Sequence, residues 1–211
     1  AIPDGIAPYD DERLLEEAYL LTDWYMPALF GEPTPDGVRR SYRDVWLSVF
    51  PMVHAQPPTL VLRDYHVNNL MRVAGYDGIK ACGLLDFQDA LWGPGAYDLM
   101  SLLEDSRREI EMNLISGMLE RYHEAFPDID WNSFIDVFTI LGAQRHAKVI
   151  GIFTRLNVRD AKPGYLTHIP RLWRLVERSL EHPRLAGLSQ WLDEHIGPEM
   201  RRIPPCQAAA K

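Results

Sequence analysis

Three polar side chains stand at spacings that phosphoryl transfer would require. In Leu62-Arg63-Asp64-Tyr65-His66-Val67-Asn68-Asn69 an aspartate is followed five positions later by an asparagine. Leu84-Leu85-Asp86-Phe87 then places a second aspartate at the end of an apolar run. An aspartate can accept or orient the proton of an attacking hydroxyl. Asn69 and Asp86 offer hard oxygen donors of the kind Mg²⁺ prefers while it keeps waters and phosphate oxygens. Because such a transfer leaves little covalent work for the protein, positioning and charge neutralisation dominate.

The elements around these residues read as devices for bringing them together. Asn69 opens the apolar run to Val73 and Asp86 closes the run from Ala81 to Leu85, with Asp77-Gly78 between them as a tight-turn signal. A hairpin of that kind makes Asn69 and Asp86 neighbours. A preceding strand, Thr59 to Leu62, delivers Asp64 to the same end. Asp and Asn are also ordinary turn residues. One alone would be read that way, but three in this order, each at a strand edge, favour the chemical reading. Asp98 stands where a helix begins, as an N-cap or first-turn acid, and could also reach back to backbone N–H groups of the Asp64 loop. Gly93-Pro94-Gly95 lacks a third glycine and a following Lys-Ser/Thr pair, so it is not a phosphate cradle.

The layout resembles the catalytic loop and metal-binding aspartate of protein kinases. Within that set, the segment from about Leu60 to Asp105 closely resembles the aminoglycoside phosphotransferase family of small-molecule kinases. One detail departs: the family usually has His two positions before the catalytic Asp, where this chain has Leu62. The runs Leu62 to Met71 and Gly83 to Ala90 look most like the bacterial cell-wall sugar kinases. So do Gln144-Arg145-His146-Ala147-Lys148 and Lys162-Pro163-Gly164-Tyr165. The resemblance implies ATP and Mg²⁺ as cofactors and N-acetylmuramate or N-acetylglucosamine as acceptor, phosphorylated at the anomeric hydroxyl. It assigns catalysis to Asp64, metal binding to Asn69 and Asp86, and loop support to Asp98 and His66.

The same resemblance frames the architecture. Such kinases carry an N-terminal lobe with a phosphate-covering loop and a lysine, yet here the catalytic loop begins near residue 62, after only helical patterns. Asp10-Asp11-Glu12 can cap a helix whose Leu14, Leu15, Ala18, Leu21 and Tyr25 recur at helical spacing, and Ser41 can cap a second that Pro51 bends or ends. Five further helices are expected at about 98–107, 109–125, 131–155, 168–181 and 184–196. The expected fold is therefore mainly α with a small β-hairpin (α+β), the C-terminal lobe of a protein-kinase-like fold. It would occupy 1–196, with catalytic loop 62–69, metal-binding segment 84–90, a flexible tail 197–211 and no nucleotide-binding lobe. The isolated chain is expected to be inactive without such a lobe.

Composition is that of a folded globular domain, with 46% hydrophobic and 25% charged residues in 211. The net charge of -8 and the lack of a basic stripe argue against nucleic acid, and no run is long enough to span a membrane. Cys82 and Cys206 form no CxxC pair, so no disulfide and a reducing cytoplasm are expected. None of the seven histidines forms a zinc pattern. His66 either contacts phosphate or packs the loop, with packing favoured, and His146 is read as packing.

Substrate contacts rest on weaker signals. Gln144, Arg145 and Arg155 are candidate substrate contacts, the arginines suited to a carboxylate, although charged residues on a helix, Lys148 included, more often form a solvated face. Trp92 and Tyr97 could supply a wall for a sugar ring or could equally be core. Two competing readings stay open: a kinase for an aminoglycoside or another small alcohol, and a non-catalytic binding lobe.

Overall fold

A computed structural model describes residues 5–205. Helix α1, Asp11–Leu20, starts at Asp10, whose carboxylate accepts the Arg13 N–H at 3.0 Å. Leu14, Ala18, Leu21 and Tyr25 face inward as the spacing requires, and Glu17 is buried among them. Leu21–Tyr25 then widens into a π-helical turn before α2, Met26–Phe30. Pro27 gives the reason: it lacks an N–H, and its ring would press on the carbonyl four residues back in a regular helix.

Helix α3, Asp36–His54, begins at Pro35 and not at Ser41. Ser41 lies inside it, where its hydroxyl donates to Val38 O and accepts from the Trp191 indole at 2.8 Å, so it braces two helices. Pro51 sits within the helix, which runs on to His54.

Two small antiparallel sheets follow. β1, Pro58–Val61, pairs with β4, Leu91–Pro94, in the register Pro58↔Pro94 and Val61↔Leu91. β2, Leu70–Arg72, pairs with β3, Cys82–Leu84. The turn between β2 and β3 is longer than Asp77-Gly78 suggested. A 3-10 turn, Gly78–Ala81, leads into β3, and Val73 N–H donates to Ala81 O at 2.8 Å to close the connection.

The rest is helical: α4, Ala96–Leu103; α5, Met112–Ala125; α6, Trp131–Asp160; α7, Ile169–Leu180; and α8, Ala186–His195. α4 stops four residues short of the expected end. There the chain instead turns Glu104 and Asp105 inward, where Arg178 donates to Glu104 and Arg171 Nε to Asp105 O. α6 is the spine of the lobe, 30 residues long and buried along most of Phe134 to Thr154. The start of the tail contacts the lobe: the Tyr25 hydroxyl lies within hydrogen-bond distance of the carbonyls of Met200 (2.8 Å) and Arg202 (2.7 Å), and Arg201 Nε donates to Ile196 O. Cys206 and the remaining tail lie outside the described residues; Cys82 is an exposed free thiol. No helix among the described residues is long and apolar enough to cross a membrane.

Gly151 decides how closely α6 approaches α1. A Cβ there would lie 2.2 Å from the Leu20 carbonyl carbon and oxygen, and backbone cannot swing aside. Gly151→Ala is therefore expected to destabilise the fold by about 1–3 kcal/mol or more through overpacking, although alanine is the better helix former. Denaturant melts of the two proteins check this; equal midpoints would show that the helices can part freely.

Candidate active site

The hairpin and two flanking segments assemble the three polar residues. β2 and β3 pair Leu70 with Leu84, and Leu85 N–H donates to Asn69 O at 2.9 Å, so the start of one strand lies beside the end of the other. The Asn69 amide donates to the Asp64 backbone carbonyl at 2.9 Å and reaches Asp86 Oδ2 at 3.5 Å. One carboxamide thus ties the catalytic loop to the second aspartate. Asp64 and Asp86 are both exposed, so each carboxylate is accessible from solvent.

Backbone strain marks the same two points. Arg63 and Asp86 hold left-handed conformations, φ 68° and 58°, which cost non-glycine residues on the order of 1–3 kcal/mol each. Asp98 offsets the first: its carboxylate accepts Leu62 N–H at 2.7 Å and Arg63 N–H at 3.0 Å. It sits in the first turn of α4 and not at its cap. Burial raises the pKa of this carboxyl, and the two N–H donors oppose the rise.

The donor set fits a small hard cation. Asp86 supplies a carboxylate and Asn69 a carboxamide oxygen. Among the described residues no cluster of three or more His, Cys, Asp or Glu side chains could hold a metal by itself. Two protein oxygens completed by water and phosphate is the coordination Mg²⁺ accepts and Zn²⁺ does not favour.

Behind the loop lies an ionic cluster that the sequence reading missed. Glu17 accepts hydrogen bonds from the Tyr9 hydroxyl, from Arg63, from Lys148 Nζ at 2.7 Å and from Gln144 Nε2 at 3.3 Å. Burial alone would raise its pKa, but Lys148 and Arg63 more than reverse this and hold it at about 2. A signal existed: Glu17 occupies the apolar stripe of α1, three residues after Leu14 and four before Leu21.

The structure separates the proposed substrate residues. Gln144 is fully buried, with its amide also donating to Leu14 O at 2.9 Å, so it faces no cleft; Lys148 likewise is not on a solvated face. Tyr97 is core, packed edge-to-face against Tyr9 at 5.3 Å. Trp92 lies on β4 and lines an open cavity of about 690 Å³ that contains no residue of 62–69 or 84–90. Gln144, Tyr97 and Trp92 therefore lie apart from the Asp64–Asn69–Asp86 group, through strand pairing and helix burial that the sequence did not reveal. Arg145 differs. It is only 6% exposed, and its Nη1 is buried without a hydrogen-bond partner. Arg155 is half-buried, with Nε in the same condition.

His66 is half-buried, its Nε2 3.5 Å from Arg107 Nη1 on the segment after α4; burial and Arg107 lower its pKa. His146 is fully buried against Glu104 O, and its pKa is lowered to about 3 by burial and Arg145. A cleft of about 710 Å³ adjoins the loop at Val67 and continues along Leu103, Arg108, Ile110, Leu114 and Met118. Around the hairpin, Leu60, Met71, Ile79, Leu84 and Phe87 stand exposed.

The profile of the phosphotransferase enzyme family matches residues 2–133. The chain is 34% identical over 194 residues to the N-acetylmuramate/N-acetylglucosamine kinase of Caulobacter vibrioides, covering 92% of this chain and 53% of that protein. It is 37% identical over 205 residues to the protein of the same name from Neisseria meningitidis serogroup B, covering 93% and 60% respectively. For Pseudomonas aeruginosa the figures are 33% over 197 residues, 89% and 56%. The chain spans little more than half the length of these relatives.

Proposed function

The chain belongs to the phosphotransferase enzyme family, and from that premise we propose that the full-length protein transfers the γ-phosphoryl group of ATP to the anomeric hydroxyl of N-acetylmuramate and N-acetylglucosamine. The observation that carries the reading is the Asn69 amide, which joins the Asp64 carbonyl at 2.9 Å to Asp86 at 3.5 Å. It ties the chain segment of Asp64 to the side chains of Asn69 and Asp86, which supports reading Asp64 as the base and the other two as cation ligands. Asp64 takes the role of orienting the acceptor hydroxyl and receiving its proton. Asn69 and Asp86 would hold Mg²⁺, which supplies charge neutralisation at the phosphates. Asp98 keeps the loop in its left-handed turn. The exposed apolar side chains around the hairpin support a covering element on the nucleotide side. The relatives' names suggest the sugars, and salvage of cell-wall sugars in an ATP-containing cytoplasm is the setting that fits.

Arg145 is the residue proposed to read the lactyl carboxylate that N-acetylmuramate has and N-acetylglucosamine lacks, because a buried guanidinium with an unpaired N–H invites an anion. The test is turnover of both sugars by the full-length protein, with the phosphate located by phosphorus NMR, before and after Arg145→Ala. The 1-phosphate is expected. The substitution should cut kcat/KM for N-acetylmuramate about ten- to a hundredfold more than for N-acetylglucosamine, the value of one charged hydrogen bond. Equal loss on both sugars would leave Arg145 a structural residue. A 6-phosphate product, or turnover confined to aminoglycosides, would overturn the substrate assignment.

A further inference from the structure

We infer that Glu17 is a positioning residue of the active site, acting through Arg63 to hold both the Asp64 loop and the Asp86 segment in place. The inference rests on the phosphotransferase reading and deepens it. Arg63 is the residue immediately before Asp64, and it makes three kinds of contact at once. Its backbone N–H is held by Asp98. Its Nη1 donates to Asp89 O at 3.3 Å, three residues after Asp86. Its Nη2 donates to Glu17. One guanidinium therefore spans from helix α1 to the two chain segments that carry the reacting and cation-binding carboxylates.

Arg63 alone could not stay there. Its side chain is 24% exposed, so it could reach water, and its left-handed backbone is strained. What retains it is a carboxylate fixed from three other directions. Tyr9 and Gln144 donate to Glu17, and Lys148 on α6 contributes a second cation. Glu17 sits on α1 and Lys148 and Gln144 on α6, the two helices locked together at Gly151. The rigid helical pair thus extends an anchored charge to a loop whose first part, residues 62–66, is neither helix nor strand.

The charges make the anchor sensitive. Two cations share one buried carboxylate, so neutralising Glu17 leaves Lys148 and Arg63 close together with no counter-ion. Arg63, the more exposed of the two, is the one free to leave, and it would release Asp89 O as it goes. A displacement of about 1 Å in a reacting group can cost on the order of a hundredfold in rate.

The experiment uses the full-length protein with Glu17→Gln, Glu17→Gln/Lys148→Met and Arg63→Met, alone and combined with Glu17→Gln. Glu17→Gln should lower kcat about ten- to a hundredfold, with KM for ATP and sugar within about threefold. Amide hydrogen exchange at Leu62 and Arg63 should speed up by about tenfold or more. In the Arg63→Met background, Glu17→Gln should lower kcat no further. Should Glu17→Gln fold poorly, the additional Lys148→Met removes the orphaned cation and is expected to restore stability while kcat stays low. Recovery of kcat along with stability would reduce Glu17 to a structural residue. Further loss of kcat in the Arg63→Met background would place its action elsewhere. If the unmutated protein phosphorylates neither sugar, the substrate reading fails; unchanged exchange in the Glu17→Gln loop overturns the present inference whatever the substrate.

Discussion

Asp64→Asn in the full-length protein is expected to lower kcat by about 10²- to 10⁴-fold, the range that a positioned general base contributes. KM for both substrates should change little. The substitution keeps the size of the side chain, and the contacts that shape the loop run through its backbone: Asp64 O accepts from Asn69, and Asp64 N–H donates to Leu62 O at 2.9 Å. The carboxylate itself is exposed, so its removal leaves no buried hole. The fold should therefore be unaffected, and the loss should appear in kcat and kcat/KM together, the pattern of an interaction made in the transition state. Steady-state kinetics with a melting control decide it. A variant within about threefold of the parent would take Asp64 out of the mechanism.

Asp86→Asn should be as damaging by a different route. It keeps the donor oxygen but removes the only formal charge of the proposed cation pair, since Asn69 brings none. The expected result is a fall in kcat of about a thousandfold at ordinary Mg²⁺, by analogy with the loss of other transition-state charge stabilisers. Partial recovery at high Mg²⁺ should follow from mass action. Calorimetry of nucleotide binding gives a second readout, in which the Mg²⁺-dependent gain in affinity should shrink. Asparagine also tolerates the left-handed conformation that Asp86 adopts, so the turn should survive. Nucleotide affinity with an unaltered Mg²⁺ dependence would show that Asp86 is not a ligand.

Local signals were the legible part. The loop, the hairpin and the second aspartate lie within 62–86, and turn residues with apolar runs announce that geometry over a few positions. The helices of the second half were visible for the same reason, being amphipathic and punctuated by proline. Pairings across the chain were not visible. β4 contains Trp92-Gly93-Pro94, which reads as a turn, and its partner β1 lies some thirty residues earlier. The Glu17 cluster draws Arg63 and Lys148 from 46 and 131 residues away. Lys148 looks solvated until α1 brings Glu17 against it. Ser41 carried a helix-cap signature and serves instead as a contact to Trp191, because Pro35 started the helix a turn and a half earlier.

The 30-residue span of α6 has a consequence for how this protein can drift over generations. Along one unbroken helix it presents His146 to Glu104, Gln144 and Lys148 to Glu17, and Gly151 to Leu20. Each added residue turns everything beyond it by about 100°. A one-residue insertion between 138 and 143 would rotate the whole set away from its partners at once, leaving charges buried without counter-ions and a side chain where only glycine fits. Substitutions can accumulate at the more exposed ends of this helix, whereas changes in its length cannot. Length variation among descendants of the chain should accordingly gather in the 73–81 connection and the exposed 107–111 segment, with α6 constant in residue count.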